Sequence, residues 1–319
     1  MKRIAFTAHK MAGVIDTPDF SGLLQPTEIR GRTLVTLVSP GTELNSGYLG
    51  SDFPSHPGYA SVFQIEDAGS EVRDFRIGDL VFGSGNHAAC QQADQGDVIR
   101  LPAGLPPEVA VFARLAGVSM SSLNTTIVRP PATVLITGLG PVGILAGQIF
   151  GAAGYDVVAV DPMPSRQQAA SALGLGNTRG TVELEELRDR IHLQIECSGH
   201  EQAVLEGCRC VRKGGEIFLV GVPWRRKTEA YSFELLREIF HRYVSVRSGW
   251  EWQVPVRPRD FAMNSIMDNL RTAQAWLAEG RLKVEGLGGL YSPERAQEVY
   301  SGLLDQSLPT PTAVFDWRL

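Results

Sequence analysis

The pattern of apolar and polar positions changes character along the chain. Up to about residue 100, short runs such as RTLVTLV, ASVFQIE, DLVFG and DVIRLP are cut by Gly and Pro. Runs of this length, rich in β-branched and aromatic residues and separated by turn formers, predict strands and a mostly β region. In PPEVAVFARLAGVSMSSL the apolar side chains recur at three- and four-residue steps, which predicts helix. From residue 133, TVLIT, GLGPVG, ILAGQIFGAAG and DVVAVD read as strand, glycine-rich turn, helix and strand, a βαβ unit. LQIECSG, EQAVLEGCRCVRKGG, EIFLVGV, SFELLREIFHR and VSVRSG continue the alternation. Their strand runs are short and nearly continuous, as in buried parallel strands. The predicted class is α/β, with an open parallel sheet covered by helices over about residues 115–252. The tail from Pro258 holds one amphipathic helix, NSIMDNLRTAQAWLAEGRL, and a closing strand, TAVFDW.

Composition narrows the function classes. A chain of 319 residues, 43% hydrophobic and 20% charged, is long enough for two domains with real cores. A net charge of -5, without a run of five like charges, argues against nucleic-acid binding. Cys90, Cys197, Cys208 and Cys210 contain no C-x2-C half-site, so no structural zinc is expected. The N-terminus lacks a sustained apolar signal region, and no segment reaches the roughly 18 apolar residues of a membrane span. A cytoplasmic location with reduced thiols and no membrane partner is the expectation.

Gly138-Leu139-Gly140-Pro141-Val142-Gly143 spells G-x-G-x-x-G directly after a strand and at a helix start. The first glycine permits the tight turn, the second lets backbone approach a pyrophosphate, and the third lets helix pack on strand. The helix start offers free N–H groups to the anion. Asp161, at the end of DVVAVD, stands where a carboxylate accepts both ribose hydroxyls of an adenosine and repels a 2′-phosphate. This favours NAD over NADP, with Arg166 near enough to complicate the choice. The bland alternative is that the glycines serve turns only and Asp161 caps a helix.

The stretch VSPGTELNSGYLG ends an apolar run in a polar turn that holds no strong nucleophile and no soft metal ligand. Together with PGYASVFQIEDAGSEVRDFRIGDLVF, VLITGLGPVGILAGQIFGAAGYDVVAVD, IECSG and VRKGGEIFLVG, its SPGTEL makes the chain resemble the medium-chain dehydrogenase/reductase superfamily over its whole length. The resemblance implies a GroES-like, mostly β catalytic domain over 1–114, a Rossmann doubly wound dinucleotide domain over 115–254, and a return to the catalytic domain over 255–319. It also implies cofactor contacts at Ser198, Gly199, Val220 and Gly221, a small-molecule substrate, and a homodimer through VSVRSG. GTEL…GYLG, PGYASV, WEWQ and the ending FDWRL are similar to the bacteriochlorophyllide hydroxyethyl dehydrogenase subgroup, whose substrate is not transferred here.

The places of the catalytic zinc ligands in that superfamily hold Pro40, Tyr59 and about Ala113, and the lobe of a structural zinc is absent, so the chain resembles a zinc-free member. Zinc lowers the pKa of bound water from about 15.7 to about 7; a comparable effect on an alcohol is worth about 12 kcal/mol, and another group must take that role. By the resemblance, Thr42 hydrogen-bonds the substrate oxygen; its alternative is a turn threonine bonded to its own backbone. Asn45 orients groups or bonds the ribose. Tyr59 offers a phenol at the metal position, or is a buried core tyrosine. His87, in SGNHAAC beside the expected cleft mouth, is the side chain suited to proton transfer near neutral pH, or is structural. Glu43 is expected in an ion pair with Arg114, which alternatively binds an anionic substrate. Trp250 and Trp252 line the substrate cleft or pack the domain junction, with packing preferred.

The leading expectation is a zinc-independent NAD-dependent oxidoreductase that interconverts a secondary alcohol and a ketone. The alternatives are an enoyl or quinone reductase and a non-catalytic dinucleotide-binding protein.

Overall fold

The computed structural model describes residues 1–20 and 22–319. Its contacts divide the chain into two compact units. Unit 1 comprises Met1–Arg114, Gln274–Gly280 and Val284–Leu319, and unit 2 comprises Leu115–Ala273 and Arg281–Lys283.

Unit 1 is the mostly β part. It contains β1 (Lys2–Ala8), β2 (Met11–Asp16), β3 (Glu28–Leu37), β4 (Ser61–Ala68), β5 (Leu80–Gly83), β6 (Cys90–Asp94) and β7 (Val98–Arg100). Strands β1 and β2 form an antiparallel hairpin. The long β3 is central because its second half, RTLVTL, turns apolar side chains inward over most of its length. Packed on the sheet are Ile29, Phe63, Ile65, Val81 and Val98. A second core joins Phe6, Tyr48, Tyr300 and Phe315, where Phe6 meets the Tyr300 ring edge-on with centroids 4.7 Å apart.

Unit 2 carries β8 (Thr133–Thr137), β9 (Asp156–Val160), β10 (Thr178–Arg179), β11 (Ile191–Glu196), β12 (Val211–Leu219) and β13 (Ser245–Ser248). All are parallel, in the order β10-β9-β8-β11-β12-β13. Counted within the unit this is 3-2-1-4-5-6, the order of the dinucleotide-binding Rossmann sheet, which reverses direction between β8 and β11. The chain returns to unit 1 for β14 (Gly288–Tyr291) and β15 (Thr312–Asp316); β15 pairs with β3 and completes the order β14-β15-β3-β4-β5-β7, with β6 beside β3.

The Rossmann register sets where chemistry can occur. Thr137 stands opposite Val160 and Glu196, Glu196 opposite Leu219, and Leu219 opposite Ser248. The residues after these ends, among them Gly138, Asp161, Ser198 and Val220, therefore share one edge of the sheet, the carboxyl edge where such folds bind ligands.

One boundary differs from the sequence reading. Residues 255–273 group with unit 2 rather than with the C-terminal return. The physical reason lies in the helix Ile266–Ala278: Asn269 donates to Ser121 and accepts from Asn124, both on the helix Ala113–Thr125. Leu270 fills the space left by Gly117, where a Cβ would lie 2.8 Å from its side chain.

Candidate functional site

In unit 2 the glycine-rich turn separates what the chain needs from what a ligand needs. Gly138 has φ +85°, and a Cβ there would lie 2.7 Å from the Ser198 nitrogen. Gly143 lies against the turn itself: its Cβ would lie 1.8 Å from the Gly138 oxygen. The fold demands both glycines. Gly140 is different, because a Cβ there meets nothing within 4 Å. Its backbone is extended, it precedes the helix Pro141–Ala152, and no side chain caps that helix. Nothing in the chain requires glycine at this position, whereas a pyrophosphate approaching the helix start does. The residues thus fit a dinucleotide. Pro141 sits in the first turn, where its missing N–H costs nothing, and Val142 and Gly143 follow.

Asp161 is 1% exposed. Its Oδ2 accepts the Leu139 N–H at 2.8 Å and its Oδ1 the Met163 N–H at 2.9 Å. Arg166 donates to Oδ2 from 3.4 Å. A carboxylate that accepts ribose hydroxyls is the expectation here, and in the fold it also serves the chain's own amides. Oδ1 serves one backbone amide and keeps its second lone pair, whereas Oδ2 is shared between an amide and the Arg166 guanidinium, because the carboxylate also ties the glycine-rich turn to the start of the next loop.

Glu196, which the sequence reading did not single out, organises the remaining predicted cofactor positions. Its carboxylate accepts from the Ser198 N–H at 2.7 Å, from the Ser198 hydroxyl and from the Gly199 N–H at 3.0 Å. Its backbone oxygen accepts from Val220 and Gly221. The E in IECSG was visible, but the shared partner linking the loops after β11 and β12 was not.

In unit 1 the turn after β3 and the loop before β4 are joined where Leu37 N–H bonds the Ala60 oxygen. This brings Ser39 and Thr42 to Tyr59. Burial raises the Tyr59 phenol above its ordinary value of 10.0; the Ser39 hydroxyl and the Arg114 charge oppose the rise, Glu43 adds to it, and the Thr42 hydroxyl opposes it. The Arg114 guanidinium lies over the Tyr59 ring, 4.9 Å from its centroid. Thr42 and Tyr59 are thus brought together, with Ser39 as a hydroxyl the sequence reading left to turn geometry. Arg114 is buried. The amide of Asn45 is spent locally on the Gly41 oxygen at 2.8 Å.

One expectation in this region is corrected. His87 is not at a cleft mouth: it is 0% exposed. Its Nδ1 lies 2.7 Å from the Thr36 hydroxyl and its Nε2 3.0 Å from Glu43 Oε2. The loop carrying it is drawn inward, since His87 N–H also donates to the Pro57 oxygen. Glu43 pairs with His87 and also accepts the Tyr300 hydroxyl at 2.5 Å and the Ser39 N–H at 2.7 Å. The Trp317 indole donates to Thr36 and closes the chain of bonds. Residues Glu43–Tyr48 are π-helical, a geometry frequent at functional sites. In unit 2, Trp250 is 68% and Trp252 56% exposed. Both lie just past β13, in or beside the short 3-10 turn Glu251–Gln253.

Among the described residues no group of three or more His, Cys, Asp or Glu side chains is placed to hold a metal ion, and no helix is long and apolar enough to cross a membrane.

Two units of this kind, one mostly β and GroES-like, the other a Rossmann sheet with its phosphate turn, define the class of protein. Residues 141–255 match the family model described as zinc-binding dehydrogenase. An L-threonine 3-dehydrogenase of Paraburkholderia phytofirmans is 30% identical over 213 residues, 53% of this chain and 61% of that protein. The chain thus spans about three fifths of the length of such relatives. Galactitol-1-phosphate dehydrogenase from Escherichia coli superposes with a TM-score of 0.82 at 19% identity, covering 99% of this chain and 100% of that one. Escherichia coli quinone oxidoreductase, solved with NADPH, does so at 0.78 and 17%, again covering 99% and 100%. Over residues 141–255 the chain is thus similar to the zinc-binding dehydrogenases, and its fold is that of the medium-chain dehydrogenase/reductases.

Proposed function

We propose that this protein is a metal-independent, NAD(H)-dependent oxidoreductase that interconverts a secondary alcohol and a ketone, with Tyr59 handling the proton of the substrate oxygen. The observation that carries the reading is Gly140, a glycine at the helix start whose missing side chain serves no contact of the chain itself. A bound nicotinamide dinucleotide supplies or accepts the hydride.

Metal independence is part of the reading because Pro40, Tyr59 and Ala113 stand where the resemblance puts zinc ligands, and the one with a polar side chain lies beside the Ser39 and Thr42 hydroxyls. Burial keeps the Tyr59 phenol protonated at neutral pH, so it donates a hydrogen bond and then its proton to a carbonyl oxygen as negative charge develops there. Thr42 is only half-buried, and its hydroxyl returns a proton from water to the phenol. The same protonation state makes reduction the faster direction near neutral pH, because oxidation needs the phenolate as acceptor. NAD is preferred because Asp161 places a negative charge after β9 and holds the nearby Arg166 at 3.4 Å, away from the role of a 2′-phosphate partner.

The protonated phenol also suits a second reading, reduction of an enone or quinone, in which it bonds an enolate oxygen. Absorbance at the reduced-nicotinamide band, followed with ketone, enone and quinone panels in the presence of a chelator, separates the two. NADH-dependent ketone reduction that survives chelation, and that Tyr59→Phe slows about 10²- to 10⁴-fold, is the expected result. Turnover confined to NADPH and quinones selects the second reading. Tight dinucleotide binding without any turnover overturns both.

A further inference from the structure

The edge of the Rossmann sheet opposite the phosphate turn holds a hollow of about 560 Å³, lined by residues 127–129, 131–132, 192 and 212–215. It gathers Arg129, His192, Arg212 and Lys213 with no carboxylate in its lining. Two acids beside the lining are engaged elsewhere: Glu216 accepts from Thr126 and the Ile127 N–H, and Asp156 from the Thr133 hydroxyl. Among the described residues neither Arg212 nor Lys213 pairs with a carboxylate, while the Arg129 guanidinium leans on the backbone oxygens of Thr126 and Val128.

His192 makes the excess of donors concrete. Thr133 N–H points at its Nδ1 from 3.3 Å, and Arg212 Nη1 lies 3.2 Å from its Nε2. Both neighbours are donors only, and a neutral imidazole has one acceptor nitrogen. Whichever tautomer forms, one N–H faces another N–H, and a protonated ring faces donors at both ends. An oxyanion beside Nε2 resolves the conflict: with Nδ1 accepting from Thr133, Nε2–H and the guanidinium both donate to the anion. Part of the lining is apolar. Ile127 is 72% exposed there, and Pro131 and Ala132 continue the surface.

We propose that this hollow binds an organic phosphate monoester, with the phosphate on Arg212, Lys213 and His192 and the apolar body over Ile127 and Pro131. Several converging cations favour a dianion over a carboxylate, and the volume exceeds what bare phosphate fills. The site lies at the amino ends of β8, β11 and β12, whereas the dinucleotide turn lies at the carboxyl end of β8, so substitutions separate the two.

The test is calorimetric titration of the full chain with phenyl phosphate and with inorganic phosphate. It compares wild type, Arg212→Ala/Lys213→Ala and Gly140→Ala, and is paired with the NMR signal of the His192 ring. Phenyl phosphate should bind more tightly than inorganic phosphate and shift the His192 resonance. Its affinity should fall roughly tenfold or more in the double variant, a change of about 1.4 kcal/mol or more, and hold in Gly140→Ala. Equal affinity in the double variant, loss in Gly140→Ala alone, or no binding up to about 10 mM overturns the proposal.

Discussion

Two buried carboxylates, Glu43 in unit 1 and Asp161 in unit 2, are satisfied in opposite ways. Asp161 is held by backbone N–H groups of Leu139 and Met163, each at a chain bend it helps to form. Glu43 takes one local amide, from Ser39, and then two side chains from distant elements: His87, 44 residues away, and Tyr300, 257 away. A carboxylate held by amides shapes a turn that a ligand then uses. A carboxylate held by side chains ties strands and helices together, and here it stiffens the turn whose next residue toward the N-terminus is Thr42.

The comparison breaks first at Glu43. Glu43→Ala leaves His87, Tyr300 and the Ser39 N–H without their acceptor in the interior, so unfolding in urea should show a loss of about 3–5 kcal/mol. Glu43→Gln, which keeps the shape, should lose less. A loss for Glu43→Ala below about 1 kcal/mol would mean that the network is incidental. Asp161→Ala comes next. Two amides, that of Leu139 buried and that of Met163 partly so, lose their acceptor, so the expected cost is about 1–3 kcal/mol. The same variant should bring kcat/KM for NADP up to or above that for NAD. An unchanged cofactor ratio would remove the charge argument for NAD.

The same contrast explains which features could be read from the chain. The strands of unit 2 and the turn Gly138–Gly143 are written in contiguous residues, as local strand runs and a glycine spacing tied to a helix start, and a parallel sheet follows from βαβ alternation, whereas its strand order does not. Thr42 and Tyr59 were legible only through resemblance, since their meeting depends on the pairing of the ends of β3 and β4. Thr36 and Tyr300 carried no signal, and Trp317 only a likeness in the ending FDWRL. Each sits in a strand, helix or tail that reads as packing, and only the tertiary fold aims their polar atoms at His87 and Glu43. His87 was misplaced for a related reason: glycine-rich surroundings suggest an exposed loop, whereas the bonds that pull it inward come from Pro57, Thr36 and Glu43. The boundary after 254 was missed because helix periodicity does not say which neighbour a helix packs on.

Within unit 2, Gly140→Ala sharpens the distinction between residues the fold needs and residues a ligand needs. Its Cβ meets no atom of the chain, so stability should stay within about 0.5 kcal/mol, while dinucleotide affinity, read by fluorescence titration, should fall roughly tenfold or more. Gly138→Ala should do the reverse in order of severity, unfolding the turn before binding can be measured, because φ +85° and the Ser198 backbone both exclude a side chain. Equal behaviour of the two variants would sink the reading of Gly140 as a ligand-facing position.

The smallest effect concerns Glu196, where burial and hydrogen bonding oppose each other. Burial raises its carboxyl above 4.5, and bonds from the Ser198 side chain and from the Ser198 and Gly199 N–H groups, with the charge of Lys227, only partly offset this. A carboxyl whose pKa is higher folded than unfolded keeps its proton in the folded chain after the unfolded chain has released it. Its contribution to stability is therefore greatest below the unfolded value and declines as pH rises through the interval up to the folded value. Glu196→Gln has no such proton, so the stability of wild type minus variant, measured by urea unfolding from about pH 4 to about pH 7, should fall with pH. A difference that rises instead would show that the loop amides after β11 stabilise the carboxylate more than burial opposes it, which would make Glu196 a second Asp161 rather than a strained counterpart.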